Sequence, residues 1–332
     1  MKWHLNVEVK KYPFEIHLKD KIFLMGSCFA ENLSEWLKAR KFNVYSNPNG
    51  ILFNPESILI NLKNILDQPN FFDRRFIFND GVYYKSFLHQ THFFSDDKEE
   101  LYKAIIQRQQ EAHNFLIQAD YLFITFGSAY VYVHKELNEV VANCHKLPHS
   151  IFDRKLLEIG DIVSKYKEWI QEVRAFNPDL KIIFSVSPVK YLSYGVVENN
   201  ISKSILLLSV HKLCCDIKEV YYFPAYELVI DDLRDYRFFK EDMAHPNEVA
   251  VKYVMEKFSE SMISKQTRSI VKDIEKILNG YNHKIQNMNS ESSRKFAIGI
   301  FRECERLEKN YPYLNFSEEK EYFKKILESK ED

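Results

Sequence analysis

Five short, predominantly apolar runs constrain this chain more than any other feature: residues 22–25, 42–45, 121–125, 181–186 and 220–223. Runs of this length, bounded by polar or turn-forming residues, read as strands buried on both faces. Stretches with helical spacing separate them, at 29–40, after Pro55, and at 98–118, 156–176, 199–217 and 248–264. Strands alternating with helices predict an α/β fold with a mainly parallel sheet covered on both sides. Two hairpins are expected beside it, one turning at Asn79-Asp-Gly81 and one pairing 131–134 with 139–143. Past Lys265 the sequence becomes rich in Lys and Glu and keeps a helical pattern. The expected division is therefore a main domain over 1–264 and a C-terminal helical extension over 265–332.

Glycine narrows the chemistry. The chain holds 8 among 332 residues, and no two are close enough to build a GxGxxG or GxxxxGK[ST] loop. Such loops need several positions without side chains so that backbone N–H groups reach phosphate oxygens, and the standard nucleotide-binding designs are therefore excluded. A formal net charge of -1 leaves no basic footprint for nucleic acid or a membrane surface. No run reaches the ~20 apolar residues of a membrane span. The first thirty residues mix charge with short apolar pieces, unlike a secretory signal. Five cysteines without regular spacing do not read as a disulfide framework, and the expectation is a soluble, cytoplasmic protein.

In a parallel sheet the ligand crevice lies beyond the carboxyl ends of the strands, so the residues just after each run are the ones to inspect. After the first comes Gly26-Ser27-Cys28-Phe29-Ala30, which opens a helix. A serine there sits where free N–H groups gather and can serve as a nucleophile or as an ordinary helix cap. After the second comes Gly50, where a missing Cβ lets the backbone approach a substrate closely, or simply makes a turn. Before the last helix comes Asp242-Met-Ala-His245. A carboxylate three residues ahead of a histidine can orient the imidazole and leave its other nitrogen to act as a base. Cys28 is a competing nucleophile, but neighbouring residues at a helix start point about 100° apart, so Ser27 and Cys28 cannot both face His245. His89 and His92, and His145 and His149, have spacings that suit a metal only on one helix face, and both pairs read as loop or strand. His145 and Lys146 are better read as pocket residues, together with Cys28.

The combination of strand–Ser–helix, a later glycine and a late Asp-x-x-His resembles the SGNH (GDSL-like) hydrolase superfamily. Gly26-Ser-Cys-Phe-Ala30 is similar to the motif that names the GSCFA family, a bacterial branch of that superfamily. Further stretches resemble the same family: Asn47-Pro-Asn-Gly-Ile-Leu-Phe-Asn-Pro55, Asn143-Cys-His-Lys146, Ser185-Val-Ser-Pro-Val189, Val197-Glu-Asn199 with Ser202-Lys-Ser204, Tyr222-Phe-Pro-Ala-Tyr-Glu227, and Arg234-Asp-Tyr-Arg-Phe-Phe239 leading into Asp242-Met-Ala-His-Pro246. The resemblance implies a flavodoxin-like three-layer α/β/α sandwich. It implies Ser27 as nucleophile, His245 as general base and acid, and Asp242 as its orienting partner. The Ser27 and Gly50 N–H groups would form part of an oxyanion hole. The superfamily's third donor, an Asn in a Gly-x-Asn-Asp block, has no counterpart in Phe126-Gly-Ser-Ala-Tyr130; Asn143 is the candidate replacement. The implied activity is ester hydrolysis, removing a small acyl group from a sugar-containing or other polar substrate, with no metal or organic cofactor. Acyl transfer on the same site, and a silent module that binds a glycan or a partner, are the alternatives. Assembly into oligomers is expected, if at all, through the C-terminal helices.

Overall fold

The computed structural model describes residues 5–282 and 290–328. The chain divides into two compact units. One takes in the segment up to Lys11, Asp20–Glu35 and Val44–Ser261; the other gathers Tyr12–Lys19, Trp36–Asn43 and the chain from Met262 on. This differs from the expected division at 264/265, because two early segments belong with the C-terminal helices.

The first unit is built on five strands: β1 (Lys21–Gly26), β2 (Asn43–Ser46), β6 (Tyr121–Phe126), β10 (Lys181–Val186) and β11 (Val220–Phe223). Their order across the sheet is β11-β10-β6-β1-β2, with β1–β6, β6–β10 and β10–β11 each parallel. This is the flavodoxin-like order, in which the chain crosses over between its first and third sheet strands and leaves a crevice at their carboxyl ends. Alternation along each strand sends successive side chains to opposite faces. Phe23, Met25, Leu122, Ile124, Phe126, Ile182 and Phe184 pack into one core with Trp169, Ile58 and Leu206. These come from α4 (Ile159–Phe176), α2 (Pro55–Asp67) and α5 (Val196–Asp216), the helices covering that face together with the end of α3 (Lys98–Leu116). On the other face Phe123 meets Phe258 of α7 (Glu248–Met262) edge-on at 5.6 Å, and Phe223 stacks on Phe29 of α1 (Cys28–Ala39) at 6.3 Å. The three-layer α/β/α sandwich follows from strands that are apolar on both faces and so need cover on both.

Local chemistry explains the element boundaries. Asn54 caps α2 by accepting from Ser57 N–H at 2.7 Å, with Pro55 in the first turn where its missing N–H costs nothing. Asp97 caps α3 through Glu99 and Glu100 N–H. Both expected hairpins are present: β3 (Ile77–Asn79) pairs with β4 (Tyr84–Ser86), and β7 (Tyr130–His134) with β8 (Glu139–Val141). Each gains a third strand, β5 (Phe94–Ser95) and β9 (Phe152–Leu156). β9 was legible neither by periodicity nor by composition, since Asp153, Arg154 and Lys155 interrupt it.

In the second unit, Ile16 N–H donates to Met262 O at 2.7 Å and Ile16 O accepts from Ser264 N–H at 3.1 Å. α8 (Lys265–Asn282) buries Ile270, Val271, Ile274 and Ile277 along one stripe. α9 (Glu291–Asn310) and α10 (Ser317–Glu328) bury Ala297, Phe323 and Ile326 together. Arg40 grips Glu275 through both Nε and Nη2, at 2.9 and 2.7 Å. Among the described residues, no helix is long and apolar enough to cross a membrane.

Candidate active site

Ser27 is placed by a close backbone approach between two strands of the sheet. At Gly26 the chain leaves β1 with φ +137°, and a Cβ there would lie 2.2 Å from Thr125 O on β6. Only glycine fits, so the two strands meet at their carboxyl ends and Ser27 emerges at the crossover. Gly26 N–H donates to Asn47 Oδ1 at 2.9 Å, and Ser27 N–H to Thr125 O at 3.1 Å. Ser27 is 2% exposed. Its Oγ accepts from Phe29 N–H at 3.3 Å, so the residue also caps α1.

The Asp242–His245 pair forms as the spacing suggests. Asp242 Oδ1 accepts from the N–H groups of Ala244 and His245, both at 2.9 Å, and Oδ2 accepts from His245 Nδ1 at 2.6 Å. The bond from His245 N–H, then that from Ala244 N–H, hold the Asp242 carboxyl at about 2, well below the usual carboxylate range. It stays ionised and fixes the imidazole with Nε2 as its free end. The loop is pinned by Lys240 N–H on His245 O at 2.7 Å and by Lys190 N–H on Ala244 O at 3.0 Å. The second bond ties it to the segment following β10, on the same sheet edge as Ser27. Burial raises the Cys28 thiol above its ordinary range, and the charge of Lys240, from the Asp242 loop, acts against that rise. Among the described residues, no hydrogen bond joins Ser27 to His245: the serine is buried, while the imidazole is 43% exposed. Catalytic hydrogen bonds are often long or misaligned in free enzymes and tighten around substrate.

The three expected oxyanion donors all have partners within the protein. Ser27 N–H is held by Thr125 O, and Gly50 N–H closes a turn on Asn47 O at 2.8 Å. Gly50 has φ +81°, and a Cβ there would lie 2.3 Å from Gln90 Cβ, so the position demands glycine for packing as well as for conformation. Asn143 Nδ2 donates to Thr91 Oγ1 at 3.0 Å, while its Oδ1 accepts from His145 N–H at 2.8 Å. His145 Nε2 lies 2.8 Å from Ser86 O and so must carry the proton; Nδ1 is buried with no partner among the described residues, and burial keeps the ring neutral by lowering its pKa.

A cavity of about 590 Å³ opens on the same side of the unit, lined by Ser128, Tyr130, Tyr132, Asn143, His145 and Lys146 among others. Phe53 and Tyr191 complete its aromatic wall. Phe53 O accepts from both Gly127 and Ser128 N–H, which links this wall to Gly127, where an added Cβ would lie 3.5 Å from Ser27 Cβ. Asn143, His145 and Lys146 therefore line this cavity, and Cys28 is not among its lining residues. As the first residue of α1 the cysteine is half-buried, and burial keeps its thiol protonated.

The sequence model of the GSCFA family matches residues 21–258. The chain belongs to the GSCFA family. A second model, the C-terminal domain of GSCFA domain proteins, matches 274–329, a stretch that takes in the end of α8 and all of α9 and α10. Among proteins with curated descriptions none matches this GSCFA chain. Among solved structures it is similar to an acetyl xylan esterase from the rumen bacterium Butyrivibrio proteoclasticus, at 11% identity and a TM-score of 0.40, over 77% of this chain and 64% of that one. A carbohydrate esterase family 3 protein from Talaromyces cellulolyticus gives 9%, 0.32, 76% and 99%. A family two carbohydrate esterase from Clostridium thermocellum gives 14%, 0.35, 74% and 64%. The chain thus spans less than two thirds of the first and third of these.

Sequence reasoning on this GSCFA protein missed the tyrosine wall, and it picked out Lys203 within Ser202-Lys-Ser204 without giving it a role. The alternation Tyr130-Val-Tyr132-Val was the available signal for the first, since it puts both rings on one face of a strand. For the second it was a lysine beside an apolar helical run, Ile205-Leu-Leu-Leu208.

Proposed function

We propose that this protein is a serine hydrolase of the SGNH type that removes a small acyl group from an ester of a polar, sugar-containing alcohol. The observation that carries this reading is the ionised Asp242 bonded to His245 Nδ1 on the sheet edge that also presents Ser27. His245 Nε2 takes the Ser27 Oγ proton as the oxygen attacks the ester carbonyl. Asp242 stabilises the imidazolium that forms. The same proton then passes to the departing alcohol, leaving an acyl-serine; water, deprotonated by His245, releases the acid and restores the serine. Ser27 and Gly50 N–H would serve the oxyanion by sharing bonds now made to Thr125 O and Asn47 O, with Asn143 as a third donor. The start of α1 adds the positive end of a twelve-residue helix. The pocket walled by Phe53, Tyr130, Tyr132 and Tyr191 suits the alcohol portion, because aromatic faces pack against the apolar face of a sugar ring.

One observation favours a second reading, a silent module that binds such a ligand without turnover: Ser27 makes no hydrogen bond to His245, and all three oxyanion donors are engaged elsewhere. Labelling with a fluorophosphonate followed by peptide mapping separates the two. The enzyme reading expects the adduct on Ser27 and none in Ser27→Ala. A folded wild-type protein that takes no label at Ser27 leaves the binding module.

A further inference from the structure

Lys203 is 1% exposed and carried by α5, and among the described residues no carboxylate hydrogen-bonds it. Its Nζ donates to Gly127 O at 2.6 Å and to Ser187 O at 2.7 Å. These carbonyls stand just beyond the carboxyl ends of β6 and β10, on two separate loops. Two neighbours on the same helix face hold the same loops: Asn199 Oδ1 accepts from Tyr191 N–H at 2.9 Å, and Ser202 Oγ from Ala129 N–H at 2.7 Å. Spacings of three and four residues stack these side chains along one stripe. A lysine is a costly way to fill such a stripe, since its charge must be desolvated, and burial lowers its pKa to about 7. Two N–H donors suffice for two carbonyls, so the bridge holds in either protonation state.

What the bridge spans explains the cost. Gly127 itself lies close to Ser27, since a Cβ added to it would come within 3.5 Å of Ser27 Cβ. From Ser187 a path runs through a turn, Val189 N–H on Ser187 Oγ at 3.3 Å, to Lys190, whose N–H holds Ala244 O at 3.0 Å, one residue from His245. We propose that Lys203 is a positioning residue that clamps the loops after β6 and β10 together and thereby sets the spacing between Ser27 and the Asp242–His245 loop. This rests on reading Ser27 and His245 as the reacting pair. It goes beyond that reading by assigning the register of the pair to a side chain that touches neither.

The test uses the full-length chain, with Lys203→Met, which keeps the length and removes both donors, and Lys203→Gln, which keeps an amide donor and covers the case in which the first variant does not fold. Two quantities are read at a temperature where each protein is folded by circular dichroism. One is the fluorophosphonate inactivation kinetics, split into the maximal rate kinact and the half-saturating concentration KI. The other is hydrogen–deuterium exchange of peptides covering 187–191 and 243–246. The clamp predicts that kinact falls roughly 10- to 100-fold, as expected for misplaced reacting groups, while KI shifts little, and that both peptides exchange faster. A lower melting temperature with kinact and exchange unchanged makes Lys203 a structural side chain and overturns the proposal. So does a fall in kinact with exchange unchanged. If wild-type protein takes no label at Ser27, the hydrolase reading fails by itself; the exchange comparison then decides the clamp alone, and equal exchange overturns it.

Discussion

Replacing His89 with glutamine should flatten the loss of stability on mild acidification. The His89 ring is 1% exposed, stacked on Phe93 at 4.8 Å and edge-on to Phe72 at 5.5 Å. Nε2 faces Asn49 Nδ2 at 2.9 Å and Nδ1 faces Ser86 Oγ at 2.9 Å. The amide donates, so Nε2 accepts and the imidazole is neutral; protonating it would set N–H against N–H in a site closed to water. Burial first, then the charges of Arg108 and His145, bring its pKa from 6.5 down to about 3. In the unfolded chain the ring takes up a proton below about 6.5, whereas the folded protein resists until about 3. The contribution is therefore fully present above pH 6.5 and is lost as the pH falls from 6.5 towards 3. Linkage puts the loss at ~2 kcal/mol between pH 7 and pH 5 and ~3 kcal/mol by pH 4. Urea unfolding of wild type and His89→Gln at those pH values reads it directly. The variant begins less stable, and its stability should fall ~2 kcal/mol less than that of wild type between pH 7 and 5, carboxylates common to both cancelling in the difference. Parallel pH curves would refute the argument, because His89 would then bind protons equally in both states.

Gly26→Ala should cost roughly 3 kcal/mol or more, from positive φ and the collision with Thr125 O, and a variant that melts with wild type would disprove the close approach. Asp242→Asn should keep the loop folded and slow fluorophosphonate labelling ~10²- to 10⁴-fold, since an amide cannot balance an imidazolium; an unchanged rate would remove the pair from catalysis. A chain ending at Ser264 should aggregate, because Arg40 and Lys41 lose Glu275 and Glu319 and the segments 12–19 and 36–43 lose the rest of their unit. A soluble truncate with native-like exchange would show instead that the C-terminal helices are a detachable appendage.

Much of this protein could be read from residues close together in the chain, because their interactions are local. The apolar runs needed cover on both faces, and they became the strands of a sandwich. Asp242-x-x-His245 closed on itself, since a carboxylate three residues upstream reaches both the backbone and the ring. Asn79-Asp-Gly81 turned a hairpin and Pro55 opened a helix for equally local reasons. Tertiary structure alone decided which segments meet. It brought Thr125 against Gly26, engaging the Ser27 N–H that sequence reasoning had assigned to an oxyanion. It placed Lys203 between carbonyls 76 and 16 residues away, and gathered 12–19 and 36–43 with helices that begin at Lys265. A lysine in an apolar helix gives no sign of what it holds, because the acceptors are backbone carbonyls that every residue carries. Only the parallel order of β6 and β10 beneath α5 brings those two within reach of one amine.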